Sequence, residues 1–149
     1  MPAEDRLAVA ETLYRYALGV DNRDWPLYRA QFADRVRVDF SDLTGIPATE
    51  VAADDYVAAV RPLFDRLHAT HHMMTNPLVD LAADGATARI RMSVQATHVG
   101  DPHDPTSAFT VGGRYENDLV RAADRWLLSG VHLAVSWTSG DPSVLTPPP

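Results

Sequence analysis

The sequence predicts an α+β fold in which N-terminal helices cover a curved antiparallel sheet and enclose an apolar, cone-shaped pocket. Apolar residues recur at spacings of three and four in the first part of the chain, which is typical of amphipathic helices. From residue 70 onward, apolar and polar residues alternate in consecutive segments that turn-forming residues separate. Helices followed by a run of strands indicate α+β rather than alternating α/β organisation.

Three helices and one strand are predicted before residue 70. The first helix covers residues 4–19 and ends at Gly19, and the second covers residues 22–33, with Asn22 or Asp24 as its cap. Residues 35–42 alternate as a half-buried strand. Residues 50–68 return to helical spacing, and we expect Pro62 to kink or divide this third helix.

Four further strands are predicted at 70–82, 87–99, 108–121 and 125–138. Gly112 and Gly113 lie inside the third of these, where a bulge would bend the sheet. No linker or repeat divides the chain, so residues 1–138 are predicted to form one domain and residues 139–149 an extended C-terminal tail.

Composition excludes several kinds of chemistry. The 149-residue chain has no cysteine, and all 13 of its basic residues are arginine, which rules out cysteine nucleophiles, lysine Schiff bases and a phosphate-binding loop that ends in Gly-Lys. A net charge of −7 argues against nucleic acid as a partner. No apolar run approaches the length of a membrane span, and no signal peptide is evident, so the expected location is the cytoplasm.

The residues that could carry chemistry are a tyrosine, an aspartate and histidines. Tyr16 and Asp21 lie at the end of the first helix, and His72 lies at the start of an apolar strand. A carboxylate and an imidazole that meet in an apolar cavity make a general base, and a phenol beside them can stabilise an oxyanion. Asp21 could instead be a helix-end residue and His72 a core histidine, and Tyr16 and Asp21 converge only if the helix ends near Gly19 and the chain turns inward.

The remaining histidines have less specific interpretations. His98 follows the apolar face of its strand, so it is either a satisfied core histidine or a second acid/base group. His71 must point away from His72 in a regular strand. His103, with Asp101 and Asp104, lies in a turn-rich segment that favours a solvated loop over a metal site, and we predict no metal.

Several local runs resemble one known family. Residues 13–21 followed by Asp24-Trp25 look like its first helix and helix exit, and residues 72–77 (His-Met-Met-Thr-Asn-Pro) look like its histidine strand. Residues 112–115 through 124–126 look like its long hairpin. Over roughly residues 5–140, the chain resembles the SnoaL-like branch of the nuclear-transport-factor-2-like superfamily.

The resemblance implies an Asp–His pair at Asp21 and His72, an assisting tyrosine at Tyr16 and a second histidine for which His98 is the counterpart. The arginine that some members carry on the last strand has no counterpart between Trp126 and Trp137. The resemblance also implies that no cofactor is needed and that two copies pair as a homodimer. The residues expected to line the substrate pocket are Tyr28, Phe40, Leu67, Met74, Met92, Phe109, Val111 and His132.

Three functions follow from these observations. The first is a cofactor-independent acid/base enzyme, a dehydratase, isomerase or cyclase, that acts on a hydrophobic small molecule, with polyketide-like molecules among the candidates. The second is a protein that binds such a molecule without chemistry. The third is an assembly subunit that uses the polar face of the sheet.

Overall fold

The computed structural model describes residues 2–146 of the chain and has an α+β architecture. The helices and strands follow one another in the order α1, α2, β1, α3, β2, α4, then β3 to β6 and a short 3-10 helix. Their bounds are α1 Pro2–Asp21, α2 Trp25–Arg29, β1 Phe32–Asp39, α3 Ser41–Thr44, β2 Thr49–Ala52, α4 Ala53–Asp65, β3 Ala69–Leu81, β4 Thr87–Val99, β5 Ala108–Ala122, β6 Arg125–Gly140 and the 3-10 helix Pro142–Leu145. Helices therefore precede the long strands, as predicted.

The first helix continues past its predicted end. α1 runs to Asp21 and not to Gly19, and Gly19 serves a packing role because a β-carbon there would lie 2.8 Å from the backbone of Tyr28. The missing side chain lets α1 and α2 approach closely. Asp24 caps α2 by accepting a hydrogen bond from the Leu27 amide, as predicted, but α2 is short and Phe32 already begins β1.

The six strands form one open sheet in the order β2-β1-β6-β5-β4-β3. The pairing is antiparallel except between β1 and β6, which run parallel. The sheet is therefore mixed: the four long strands pair antiparallel, as predicted, and the parallel contact of β1 with β6 is an addition to the predicted arrangement. The reason is topological, because β1 is separated from β6 in the sequence by the rest of the sheet, and local periodicity carries no information on that pairing.

The four long strands agree closely with prediction. In β4, the residues at even positions from Ala88 to His98 are buried, and most of those between them are exposed. The register of β5 and β6 shifts opposite Gly112 and Gly113, where a bulge was expected. A second shift lies in β3 between Thr75 and Leu78, and Asn76 there has a φ of 57°. This bulge reverses which residues of β3 point inward on either side of Pro77.

The predicted helix at 50–68 divides differently. Residues 49–52 form the edge strand β2, paired with β1, and the helix begins only at Ala53. Pro62 lies inside α4, which remains one continuous helix to Asp65. A four-residue edge strand is too short to impose an alternating pattern that could be distinguished from the start of a helix.

The C-terminal segment is less extended than predicted. β6 continues to Gly140, and residues 142–145 form a 3-10 helix in which Val144 is buried. Arg66 donates hydrogen bonds to the carbonyls of Val144 and Thr146, both at 2.8 Å. Burial of Val144 and these two bonds hold the segment against the domain, and residues 147–149 of the predicted tail lie outside the described residues. Within residues 2–146, no helix is both long enough and apolar enough to cross a membrane.

Candidate active site

Asp21 and His72 meet in the interior of the protein. The Nδ1 atom of His72 lies 2.7 Å from Oδ1 of Asp21, and the backbone amide of His72 donates to Oδ2 at 2.8 Å. The His72 side chain is 6% exposed and that of Asp21 15%. α1 delivers the carboxylate from its last residue, and β3 delivers the imidazole from its inward face.

The hydrogen bonds fix which nitrogen of His72 carries the proton. An ionised carboxylate only accepts, so Nδ1 must donate to Asp21, and the neutral ring then has its lone pair on Nε2. Burial raises the pKa of the Asp21 carboxyl, but the hydrogen bonds and charge from His72, together with the Thr70 hydroxyl, outweigh burial and hold the pKa below its usual value. Asp21 is therefore ionised at neutral pH.

Two residues that the sequence reasoning missed complete the surroundings of Asp21. The buried Thr70 hydroxyl lies 3.0 Å from Oδ1 of Asp21, and Nη1 of Arg23 donates to the Thr70 oxygen at 2.9 Å. The Arg23 guanidinium also lies 5.8 Å from the centre of the Phe64 ring. Alternation could have indicated Thr70, which is two residues before His72 and shares its face of the strand.

His98 lies beside His72 but has different partners. The two rings are 5.7 Å apart between centroids and nearly perpendicular, and Phe64 packs against both. Nδ1 of His98 lies 3.1 Å from the Phe109 carbonyl, which accepts only, so Nδ1 carries the proton of the neutral ring. Burial, then the positive charge available on His72, lowers the pKa of His98 to about 4. His98 is therefore a neutral hydrogen-bond acceptor at its Nε2 atom.

Tyr16 belongs to an aromatic cluster. Its ring contacts Tyr28, Phe32 and Tyr115, and its hydroxyl lies 3.4 Å from that of Tyr115. Residues five apart in a helix differ by about 140° in direction, and because α1 continues through Asp21, the Tyr16 hydroxyl meets Tyr115 and not the aspartate. Burial, then the neighbouring tyrosines, raises the pKa of Tyr16 well above its usual value, so it is a neutral donor.

Most of the predicted lining residues lie in the interior. Tyr28, Leu67, Met92, Phe109 and Val111 are buried, Met74 is half-buried on the strand face that carries His72, and Phe40 is half-buried before α3. His132 is different. Its neighbours Val131 and Leu133 are buried, so it points to the opposite face of β6, where it lies next to Asp39 of β1. The assignment of His132 to the pocket is therefore wrong.

The outer face of the sheet carries a shallow depression of about 420 Å³, lined in part by Met73, Thr75 and Trp137. His71, which neighbours His72, is exposed. His103 is exposed in the loop before β5, and within residues 2–146 no cluster of three or more acidic or histidine side chains is placed to hold a metal ion.

Comparison with known proteins assigns the family. The family model described as a SnoaL-like domain matches residues 1–132. The chain is similar to the Kfla4162 protein of Kribbella flavida, at 32% identity over 97% of this chain and 99% of that one, with a TM-score of 0.90. No curated protein gives a significant match.

Two more distant structures share the fold. A scytalone-dehydratase-like protein of Novosphingobium aromaticivorans is 18% identical over 90% of this chain and 85% of its own, with a TM-score of 0.76. A hexachlorocyclohexane dehydrochlorinase of Novosphingobium barchaimii is 16% identical over 99% and 97%, with a TM-score of 0.74. Because the SnoaL-like family model matches residues 1–132, this chain belongs to the SnoaL-like domain family, and the two distant structures share its fold.

Proposed function

We propose that this protein is an acid/base enzyme of the lyase or isomerase type, in which Asp21 and His72 act together on a hydrophobic small molecule. The observation that carries the proposal is the 2.7 Å hydrogen bond between the side chains of Asp21 and His72. Both ionisable groups are largely withdrawn from water, and they come from elements 51 residues apart in the sequence, α1 and β3. Such a contact in a sheltered interior is typical of catalytic bases.

His72 is the proposed base. With Nδ1–H bonded to Asp21, the Nε2 lone pair can remove a proton from a carbon next to a carbonyl or from an activated hydroxyl. Asp21 stabilises the imidazolium that results. In an elimination, the C–H bond and the bond to the leaving group break, and a C=C bond forms. When the leaving group is a hydroxyl, the protonated Nε2 of His72 can give it the abstracted proton, and the hydroxyl leaves as water. The enzyme is then restored without another reagent.

The tyrosine cluster is the proposed site for developing negative charge. Tyr16 and Tyr115 are buried and their pKa values are raised, first by burial, so both hydroxyls keep their protons at neutral pH. A neutral phenol can donate a hydrogen bond to an enolate-like oxygen. Burial is the main cause of the raised pKa of Tyr115, and the charge of Asp21 acts in the same direction.

His98 has a proposed role that differs from the proton donor expected from the sequence. Its Nδ1–H is committed to the Phe109 carbonyl, and its pKa of about 4 leaves Nε2 without a proton at neutral pH. We assign it to orienting the substrate by accepting a hydrogen bond from a substrate hydroxyl. The names of the two distant neighbours, dehydratase-like and dehydrochlorinase, both denote eliminations, which supports the reaction type.

The proposal is tested by proton abstraction, which does not require knowledge of the final product. A panel of cyclic ketones and polyketide-like β-hydroxy ketones is incubated with the protein in D₂O, and deuterium at the α-carbon is followed by NMR. His72→Gln and Asp21→Asn should slow exchange by about 10²- to 10⁴-fold, the usual contribution of general acid/base catalysis. His71→Gln is the matched control, because this adjacent histidine is exposed and should exchange at the wild-type rate.

Two results would contradict the proposal. Wild-type exchange rates in both folded variants would exclude the Asp21–His72 mechanism. Tight binding of a panel member without exchange, with an affinity unchanged in His72→Gln, would show a binding protein and no enzyme.

A further inference from the structure

Arg23, Thr70 and Asp21 form a directed chain of hydrogen bonds that ends at the proposed catalytic pair. Arg23 can only donate, so the Thr70 oxygen must accept from it at 2.9 Å. The single hydroxyl proton of Thr70 is then free to point to Oδ1 of Asp21 at 3.0 Å. The direction of both bonds follows from the chemistry of the groups, without any need to observe hydrogen atoms.

The backbone conformation of Arg23 directs its side chain toward Thr70. Its φ of 57° is in the left-handed region, which costs an arginine free energy and which glycine adopts readily after a helix. This conformation turns the side chain back over the end of α1, where Nη1 also donates to the Val20 carbonyl at 2.6 Å. Arg23 therefore has an unfavourable backbone conformation and a charge that is partly withdrawn from water. Both features cost free energy, which indicates that the guanidinium has a function at this position.

We infer that Thr70 and Arg23 are positioning residues that hold the Asp21 carboxylate in its orientation and moderate its basicity toward His72. This inference rests on the proposed function for its catalytic meaning, but the hydrogen-bond relay can be tested without a substrate. Donation from Thr70 withdraws electron density from Oδ1, the same oxygen that accepts from Nδ1 of His72. The ionisable groups that surround this carboxylate are His72 from β3, His98 from β4, Tyr115 from β5 and Arg23 from the turn after α1.

Three variants separate the hydroxyl from packing. Thr70→Val keeps the shape of the side chain but removes the hydroxyl, and Thr70→Ser keeps the hydroxyl but removes a methyl group. Arg23→Met keeps the length of the side chain and removes every donor. Folding of each is checked from its amide NMR spectrum, and if Thr70→Val fails to fold, Arg23→Met decides the question because Arg23 is only partly buried.

Two NMR measurements report on Asp21 directly. In Thr70→Val, the Asp21 carboxyl carbon should titrate about one pH unit higher, a tenfold rise in proton affinity, because one hydrogen bond to the charged form is lost. At neutral pH, the Nδ1–H proton of His72 should move downfield, since Asp21 becomes the stronger acceptor. Arg23→Met should move both signals in the same direction by less, and Thr70→Ser should leave both close to wild type.

Unchanged Asp21 and His72 signals in Thr70→Val or in Arg23→Met would overturn the inference. So would equal shifts in Thr70→Ser and Thr70→Val, which would assign the effect to packing. Neither result bears on whether His72 removes a substrate proton, so failure of the relay and failure of the proposed function remain distinguishable.

Discussion

Burial of His98 predicts that the protein loses stability on mild acidification. The side chain lies on the inward face of β4, bonded to the Phe109 carbonyl and next to Phe64 and His72. Its pKa falls from 6.5 in the unfolded chain to about 4 in the folded protein, chiefly because burial penalises the charged ring. Between these values the unfolded chain binds a proton that the folded protein does not, so lowering the pH favours unfolding.

The size of the effect follows from the separation of the two pKa values. A difference of about 2.5 units at about 1.4 kcal/mol per unit gives about 3 kcal/mol, of which roughly 2.5 kcal/mol is already lost at pH 4.5. Asp21 acts in a different window. Its folded pKa is below the usual 3.8, so its contribution is present above that value and is lost only as the pH falls further. Measurements that end at pH 4.5 therefore report mainly on the histidine.

Urea denaturation at several pH values between 7.5 and 4.5 measures this loss. His98→Asn keeps a donor in place of Nδ1 and cannot be protonated, so its free energy of unfolding should fall by about 2 to 3 kcal/mol less than that of wild type over the same interval. His98→Asn also leaves a small void and should be less stable than wild type at every pH. The quantity compared is therefore the change in the free energy of unfolding between pH 7.5 and 4.5, not its absolute value. His103→Asn, in the exposed loop, is the control for loss of a histidine.

Equal pH dependence in wild type and His98→Asn would refute the reasoning. A midpoint near 6.5 for His98, observed directly in the NMR titration of its ring, would do so independently.

Two further predictions concern the sheet. Gly113→Ala should lower the free energy of unfolding, measured by urea denaturation, by about 3 kcal/mol or more, because a β-carbon there would lie 2.1 Å from the Ala134 carbonyl oxygen. Gly130→Ala is the control: the nearest atom to its β-carbon would lie at 3.4 Å, so its stability should change by no more than about 1 kcal/mol. We also expect a homodimer through the outer face of the sheet, where Met73 and Trp137 are exposed beside the shallow depression. Met73→Glu should then lower the sedimentation coefficient from that of a dimer to that of a monomer, and a wild-type monomer at micromolar concentration would contradict the expectation.

The strands were predictable because burial of one face imposes a period of two. β4 was predicted at residues 87–99 and is observed at Thr87–Val99, with His98 on the buried face. β2 was missed because an edge strand of four residues has no pattern of its own. The parallel contact between β1 and β6 is set by the packing of the whole chain, which local periodicity does not record.

The residues of the candidate site were likewise predictable only in part. The resemblance to a known family led to Asp21 and His72, which do meet, and alternation placed His98 correctly. The condition for Tyr16 to converge with Asp21 was a helix end near Gly19, and because α1 continues to Asp21, the Tyr16 hydroxyl meets Tyr115 instead. Arg23 could not be predicted, because its left-handed backbone conformation is rare for an arginine and nothing in its residue type indicates it.

Burial alone raises the pKa of a carboxyl and lowers that of a histidine, so the fate of each group in this interior depends on its donors. Asp21 has three, from Thr70 and twice from His72, and remains ionised. His98 is neutral because burial outweighs its hydrogen bond to the Phe109 carbonyl, which favours the charged ring, and burial likewise keeps the tyrosines protonated. A fixed negative charge on one side of His72 and neutral hydrogen-bonding groups on the other leave Nε2 of His72 as the atom from which a proton can be exchanged. The same arrangement explains why removing the Thr70 hydroxyl should change the chemistry of Asp21 even though Thr70 need not touch a substrate.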